Sequence, residues 1–225
     1  MKDYFRTREA PANIDNRLPV ARPGLIFIII SALFFLLGLL LDWDCFRNFF
    51  FVLTLFIIWF FRDPARPTPP PGFGLSPADG RVIVIEDVQY NPYTQAPAKK
   101  VSIFMNIFNV HVNRLPLDGR LLSQTYFPGK FLNASLDKAS EHNERNALIL
   151  ETGEGRVAVV QIAGFIARRI VSWVREGQSL ERGRRFGLIR FGSRVDLYLP
   201  PDSEIMVGLG QQVLAGWSPV WRSRT

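Results

Sequence analysis

The sequence predicts a mainly β domain, a compact sandwich or barrel-like arrangement of short strands, preceded by a helical hairpin that crosses a membrane. Two observations support this prediction. Two long apolar segments occupy the first quarter of the chain, whereas beyond residue 75 the apolar runs are short and separated by turn sequences. The 225 residues are enough for one domain of ordinary size and such a hairpin.

The hairpin is predicted for residues 24–61. Residues 24–41, GLIFIIISALFFLLGLLL, carry no charge, and at about 1.5 Å per residue they come close to spanning a roughly 30 Å hydrocarbon core. Residues 49–61 are short for a span until they are extended back to Trp43. A signal peptide is disfavoured because a second apolar segment, rather than a cleavage site, follows the first. A hairpin buried in a protein core is disfavoured because both segments are apolar all round.

Positive charge flanks the hairpin on both sides. Only Arg47 lies in the short loop, against Asp42 and Asp44. The flanking cations are Lys2, Arg6, Arg8, Arg17, Arg22, Arg62 and Arg66. Because positive flanks stay inside, residues 1–23 are predicted to be cytoplasmic, and the β domain is predicted to lie on the cytoplasmic side of the inner membrane.

A proline-rich linker follows at residues 62–74, RDPARPTPPPGFG, and is typical of an extended spacer. The β domain then occupies residues 75–225. Strands are predicted at residues 81–88, 100–108, 146–152, 156–164, 167–174 and 193–200, and a loop with a helical turn at 133–146. The segment RFGLIRFGSRVDLYLP, residues 185–200, is interpreted as one long strand interrupted by Gly192-Ser193.

Composition narrows the possible functions. The 27 basic residues outnumber the 20 acidic ones and give a net charge of +7, which favours anionic lipid headgroups as partners. Nucleic acid is not expected because no binding motif for it is recognisable. Cys45 is the only cysteine, so there is no intrachain disulfide, and with two histidines the chain is not expected to bind metal. P-loop, dinucleotide and His-Glu-x-x-His motifs are missing.

Four residues are candidates for chemistry. Asp79, in SPADG, has the pattern of a turn that leads into a strand. His111 shares an alternating polar face with Asn109 and Asn113 over residues 107–113, and it is either a buried structural histidine or a general base. His142 has polar neighbours typical of a solvated loop. Ser193 needs a base to become a nucleophile, and its spacing alone favours a β-bulge.

Five segments together carry a family resemblance: SPADG, FMNIFNVHVNR, PGKFLNASLDKASEHNERN, QIAGFIARRI and RFGLIRFGSRVDLYLP. In this order, over about residues 61–200, the chain resembles the short, single-domain phosphatidylserine decarboxylases. The resemblance implies a proenzyme that cuts itself between Gly192 and Ser193, converts Ser193 into a pyruvoyl group and decarboxylates phosphatidylserine in an anionic membrane. It implies that Asp79 and His111 serve self-processing and that His111 also serves decarboxylation.

The resemblance further implies that the 192-residue large chain and the 33-residue small chain (225 minus 192) stay associated; a homo-oligomer is compatible with it. Two positions depart from the longer relatives. Phe-Gly-Ser-Arg ends at Arg194 where they have Leu-Gly-Ser-Thr or Leu-Gly-Ser-Ser, and Arg114 replaces a second histidine.

Two alternatives remain open at the level of sequence. The substrate is another serine phospholipid, such as archaetidylserine, or the chain is a non-enzymatic, membrane-anchored β domain that binds lipid or a partner. Gly192-Ser193 in company with Asp79 and His111 favours the enzyme. The arginine cluster either attracts an anionic surface or is ordinary solvated charge; it comprises Arg168, Arg169, Arg182, Arg184 and Arg185.

Overall fold

A computed structural model describes residues 19–129, 143–164, 169–190 and 193–222. The chain separates into two compact units, with the division between Ala65 and Arg66. The following paragraphs describe each unit by itself.

The first unit is a hairpin of two antiparallel helices. A 3-10 turn at Arg22–Gly24 leads into α1, Leu25–Leu40, and α2 covers Asp44–Phe60. Phe34 of α1 stacks on Phe50 of α2 with 4.9 Å between ring centroids. The two helices pack along their length because aromatic side chains interdigitate between them.

The helical hairpin predicted for residues 24–61 is therefore confirmed as secondary structure. Among the described residues, the segment Arg22–Leu40 is the one helix long and apolar enough to cross a membrane, with a mean hydropathy of 2.7. Helix α2 has 17 residues, and its crossing of the membrane stays a prediction.

The second unit is built of short strands. They are β1 Gly74–Leu75, β2 Gly80–Asn91, β3 Ala96–Met105, β4 Val112–Arg114, β5 Gly119–Phe127, β6 Arg145–Thr152, β7 Gly155–Ala163, β8 Ile170–Ser172, β9 Ser179–Leu180, β10 Arg185–Ile189, β11 Ser193–Leu199, β12 Glu204–Ile205, β13 Gln212–Val213 and β14 Pro219–Arg222. The mainly β class predicted from the sequence is confirmed.

Three sheets connect these strands in the described part of the chain. The large sheet has the order β13-β2-β3-β11-β7-β6-β5-β9, and two small sheets have the orders β4-β10-β8 and β1-β14-β12. All the pairs are antiparallel. Strand β11 lies in the middle of the large sheet, between β3 and β7.

The two faces of β11 meet different surroundings because successive side chains in a strand point to opposite faces. Val195, Leu197 and Leu199 belong to the main apolar core. Tyr198 belongs to a smaller apolar cluster and lies on the same face as Arg194 and Asp196, which are also buried.

The predicted strands at 81–88, 146–152, 156–164 and 193–200 are confirmed. Within the predicted strand 167–174, the structure has a strand at Ile170–Ser172. Of the loop predicted at residues 133–146, residues 133–142 lie outside the described residues. Its last two residues, 145–146, begin strand β6.

The alternating strand predicted over residues 107–113 is wrong for its first half. Strand β3 ends at Met105, and a turn follows. The Asn106 side chain accepts a hydrogen bond from the Phe108 amide (2.8 Å), and the Asn109 side chain accepts one from the Asn106 amide (2.9 Å). Asparagine side chains that accept hydrogen bonds from nearby backbone amides compete with the hydrogen bonds between strands. This competition explains why the alternating pattern did not produce a strand here.

The interpretation of residues 185–200 as one interrupted strand is also wrong. Strand β10 pairs with β4 and β8 in a small sheet, whereas β11 pairs with β3 and β7 in the large sheet. The chain therefore leaves one sheet and enters another between Ile189 and Ser193. Local apolar periodicity cannot reveal this change, because each strand is buried and looks alike in sequence.

Candidate active site

Ser193 is the first residue of β11 and is fully buried, with 0% of its surface exposed. It lies between Met105 at the end of β3 and Ala163 at the end of β7. Its hydroxyl donates to the Met105 sulfur at 3.4 Å. A thioether is a weak acceptor, so this contact holds the hydroxyl in place without stabilising it strongly against reaction.

Three buried carboxamides lead from β6 to this methionine, and we call them the amide chain. Asn146 Nδ2 donates to Gln161 Oε1 (2.9 Å), and Gln161 Nε2 donates to Asn113 Oδ1 (2.8 Å). Asn113 Nδ2 in turn points at Met105 Sδ (3.7 Å). Since each link donates in the same direction, the chain presents N–H groups, not an oxygen, to the sulfur beside Ser193.

Gly187 of β10 leaves the room that the amide chain needs. A Cβ at this position would lie 2.5 Å from the Val171 carbonyl oxygen and 2.9 Å from Gln161 Nε2. Gly187 pairs directly with Asn113 in the small sheet. The missing side chain therefore lets Gln161 cross from the large sheet to β4.

Asp79 is buried directly before β2, and its carboxylate accepts hydrogen bonds from a side chain and from a backbone amide. Arg66 donates to both of its carboxylate oxygens, with Nη2 at 2.8 Å from Oδ2, and the Ala215 amide donates to Oδ1 at 2.8 Å. The family resemblance assigns Asp79 to self-processing together with His111. The cation that contacts Asp79 in this structure is Arg66, from the linker.

Strand order brings Asp79 and Ser193 to the same end of the large sheet. Arg81 pairs with Phe104, and Phe104 pairs with Arg194, so the start of β2, the end of β3 and the start of β11 are neighbours. Gly80 permits this close approach, because its φ of +154° and the 2.1 Å from an added Cβ to the Phe104 oxygen admit no side chain.

His111 is fully buried directly before β4. Its carbonyl accepts a hydrogen bond from the Ile189 amide at 3.4 Å, close to where the chain leaves β10. The Arg114 amide at the other end of β4 bonds the Pro77 carbonyl (3.0 Å) in the loop that carries Asp79. The three segments with the predicted residues Asp79, His111 and Ser193 therefore meet in one region. Gly192 and His142 lie outside the described residues.

The sequence alone assigned no role in the site to several residues of this region. They are Arg66, Met105, Asn146, Gln161 and Arg194. The available signal was a polar side chain inside an otherwise apolar strand, as in RVAVVQIAG for Gln161. Such a residue must find a buried partner, but only the fold decides which one.

Of the predicted arginine cluster, Arg168 lies outside the described residues, and Arg182 is bound to the protein rather than simply solvated. Arg182 donates to the Phe73 carbonyl (2.8 Å) and to the Pro69 carbonyl, and so it holds the linker. Arg190 follows β10, and its amide bonds the Arg169 carbonyl (3.3 Å). Burial lowers the pKa of Arg190, and the positive charge of Arg169 lowers it further. An anion beside these two arginines would relieve their repulsion.

Comparisons with known proteins match most of this chain to one family. The sequence model of a family described as phosphatidylserine decarboxylase matches residues 53–220. A phosphatidylserine decarboxylase proenzyme of Burkholderia ambifaria (strain MC40-6) is 50% identical over 198 residues, which cover 87% of this chain and 92% of the relative. One of Syntrophus aciditrophicus (strain SB) is 48% identical over 204 residues, covering 89% and 96%.

Proposed function

The chain belongs to the phosphatidylserine decarboxylase family of enzymes, and on that premise we propose that it is a proenzyme that cuts itself between Gly192 and Ser193 and then decarboxylates phosphatidylserine to phosphatidylethanolamine. The main support is the position of Ser193. It is buried at the first residue of β11, directly after the segment in which the chain passes between two sheets.

The cut is proposed to begin with the Ser193 hydroxyl. His111 accepts the hydroxyl proton while Oγ attacks the Gly192 carbonyl carbon. The C–N bond to Ser193 breaks, its nitrogen takes up a proton, and an ester joins Gly192 to Oγ. Loss of the Ser193 α-proton and of the Gly192 carboxylate leaves dehydroalanine. Water then adds and ammonia leaves, so that residue 193 becomes a pyruvoyl group.

The fold is compatible with such a cut. The small chain, residues 193–225, would keep β11 between β3 and β7, β13 beside β2 and β14 beside β1. No strand of a described sheet is severed, because β10 ends at Ile189 and β11 starts at Ser193. The two chains are therefore expected to stay associated through main-chain hydrogen bonds and the shared core.

The site also fits a pyruvoyl group. The group lacks Oγ and carries a carbonyl oxygen where Ser193 has its amino nitrogen, so it needs no more room than the buried serine between Met105 and Ala163. The pyruvoyl ketone supplies an electrophile for the amino group of the substrate and an acceptor for electrons as carbon dioxide leaves. His111 is proposed to donate a proton to the α-carbon of the substrate's serine group after carbon dioxide has left. The amide chain is proposed to hold Met105 against residue 193.

Phosphatidylserine stays in the bilayer, so its decarboxylase must work at a membrane surface. The apolar segment Arg22–Leu40 and the lipid named in the family description together indicate membrane association. We place the β unit on the cytoplasmic side because positive charge flanks the hairpin at both ends. Arg169 and Arg190 are proposed to attract the anionic headgroup.

Mass spectrometry of the denatured, purified protein tests this proposal. Two chains are expected, the smaller one covering residues 193–225 and lighter by one ammonia than the same peptide with an amino-terminal serine. Ser193→Ala should stay intact and inactive, whereas the control Ser179→Ala, in β9, should be cut as in wild type. An intact 225-residue chain from an active preparation would refute the proposal.

His111→Ala tests the proposed base separately. It should accumulate the uncut chain, since no group would take the Ser193 proton. Complete cleavage of this variant would remove His111 from processing while leaving the proposed cut itself intact.

A further inference from the structure

Arg194, the residue directly after the proposed cut, is fully buried (0% exposed) on the face of β11 opposite Ser193. Its guanidinium binds both oxygens of Asp196, with Nε at 2.5 Å from Oδ1 and Nη2 at 3.2 Å from Oδ2. Nη2 also donates to the Ser102 hydroxyl of the neighbouring strand β3 at 2.9 Å. We call Arg194, Asp196 and Ser102 the Arg194 clamp.

The clamp ties the beginning of β11 to β3 through side chains. Asp196 and Ser102 are direct partners in the β11–β3 register, so the guanidinium reaches forward along its own strand and across to the next. A planar fork suits this geometry, since it can hold a carboxylate with two bonds and still offer a donor to a third group.

Other side chains cover the clamp. Tyr93 packs against Tyr198 with 5.5 Å between ring centroids, and Tyr198 lies on the clamp face of β11. Burial raises the pKa of Tyr198, and the negative charge of Asp196 raises it further. The ion pair is therefore held away from water, where a charge-assisted bond is stronger and its loss costs more.

A cut before Ser193 would turn the first residue of β11 into a chain end, which must then be kept in position by other contacts. Until the cut, a peptide bond joins Ser193 to the preceding chain. After it, residue 193 is a chain end, and strand ends fray when nothing ties them down. The reactive group would then sit on the first residue of a frayed strand, although small displacements of a reacting group cost large factors in rate.

We propose that the Arg194 clamp is a positioning device that holds the new amino-terminal end of the small chain in register on β3 after self-cleavage. This inference rests on the proposed function, because it requires the cut at Ser193. It also accounts for the arginine in Phe-Gly-Ser-Arg. Arg194 acts through the strand and does not touch the reacting atoms.

The test compares hydrogen exchange in cut and uncut protein. The variant Arg194→Met/Asp196→Leu replaces both charges by apolar groups, a change that buried ion pairs often tolerate. In the cut protein, the amides of residues 194–196 are expected to exchange at least about fivefold faster than in wild type. In a Ser193→Ala background, which stays uncut, the same double change should alter exchange by less than about twofold.

Steady-state kinetics provide a second readout. The cut double variant is expected to lose about tenfold or more in kcat with little change in KM, because the reacting group is displaced and the substrate is still bound. The single variant Arg194→Lys should also have a lowered kcat, since an ammonium cannot bind Asp196 with two bonds and reach Ser102 as well. The matched control is Arg222→Gln/Glu204→Gln, which removes an exposed ion pair of the small chain and should change neither readout.

Ser102→Ala covers the case in which the double variant fails to fold. This substitution removes only the side-chain hydrogen bond from Arg194 to Ser102 and leaves the ion pair with Asp196 in place. It should raise hydrogen exchange at residues 194–196 in the cut protein alone, by about twofold to threefold. Equal effects in cut and uncut protein, or unchanged exchange in both, would overturn the clamp. An intact wild-type chain would instead overturn the proposed function, and the clamp with it.

Discussion

Replacing Gln161 by leucine removes the middle of the amide chain without leaving a large void, because the two side chains have similar volumes. Gln161 accepts from Asn146 and donates to Asn113, and all three are buried. The substitution leaves Asn146 Nδ2 and Asn113 Oδ1 without these partners. Each orphaned buried group costs about 1–3 kcal/mol, so the expected loss is roughly 2–6 kcal/mol. Native stability is typically only about 5–15 kcal/mol.

Urea unfolding of the full-length protein in detergent, followed by tryptophan fluorescence, measures this loss. The Ser193→Ala background keeps every sample uncut, so that differences in processing do not enter. Gln212→Leu is the control, because Gln212 is an exposed residue of β13, and its change should stay within about 0.5 kcal/mol. If Gln161→Leu were as stable as this control, the hydrogen bonds of Gln161 to Asn146 and Asn113 would not contribute to stability as argued.

Three further outcomes are expected. Gly187→Ala should lose about 1–3 kcal/mol in the same urea assay, because its methyl group would press on the Val171 carbonyl; wild-type stability would contradict the close approach. Arg66→Met should lose about 3–5 kcal/mol, since it leaves the buried Asp79 carboxylate without its cation; a loss below about 1 kcal/mol would show that Asp79 does not need it. Tyr198→Phe should make stability less sensitive to alkali. The folded state raises the pKa of Tyr198, so its contribution is complete below the unfolded pKa of about 10 and falls by about 1 kcal/mol between pH 10 and pH 11. Urea midpoints across this range should fall less in Tyr198→Phe than in wild type, and parallel curves would argue against the buried phenol.

Much of the molecule was predictable from local pattern. Apolar runs of helical length gave the hairpin, and short runs between turn sequences gave the β unit, because burial selects residues with the period of each element. Ser193, His111 and Asp79 came from the motifs that carry the family resemblance. These predictions depend on residues that are near one another in the chain.

The wrong interpretation of residues 185–200 and the omitted site residues share a physical cause, which is pairing between segments distant in sequence. Residues 185–200 look like one strand, yet Ile189 and Ser193 belong to different sheets. The sequence shows that both parts are buried strands, but their pairing partners are distant in sequence. Backbone hydrogen bonds to β3 or β4 do not depend on the identity of the local side chains, so the local sequence does not reveal them.

The sequence by itself determined the fold class, the apolar hairpin, the family and the serine on which the proposal rests. Only the tertiary structure decided that Arg66 neutralises Asp79, that Gln161 reaches Asn113, and that Arg194 pairs with Asp196 and Ser102. A buried polar side chain must be paired, and this much can be read from the sequence. Its partner is whichever group the packed strands bring within about 3 Å, which is a property of the whole fold.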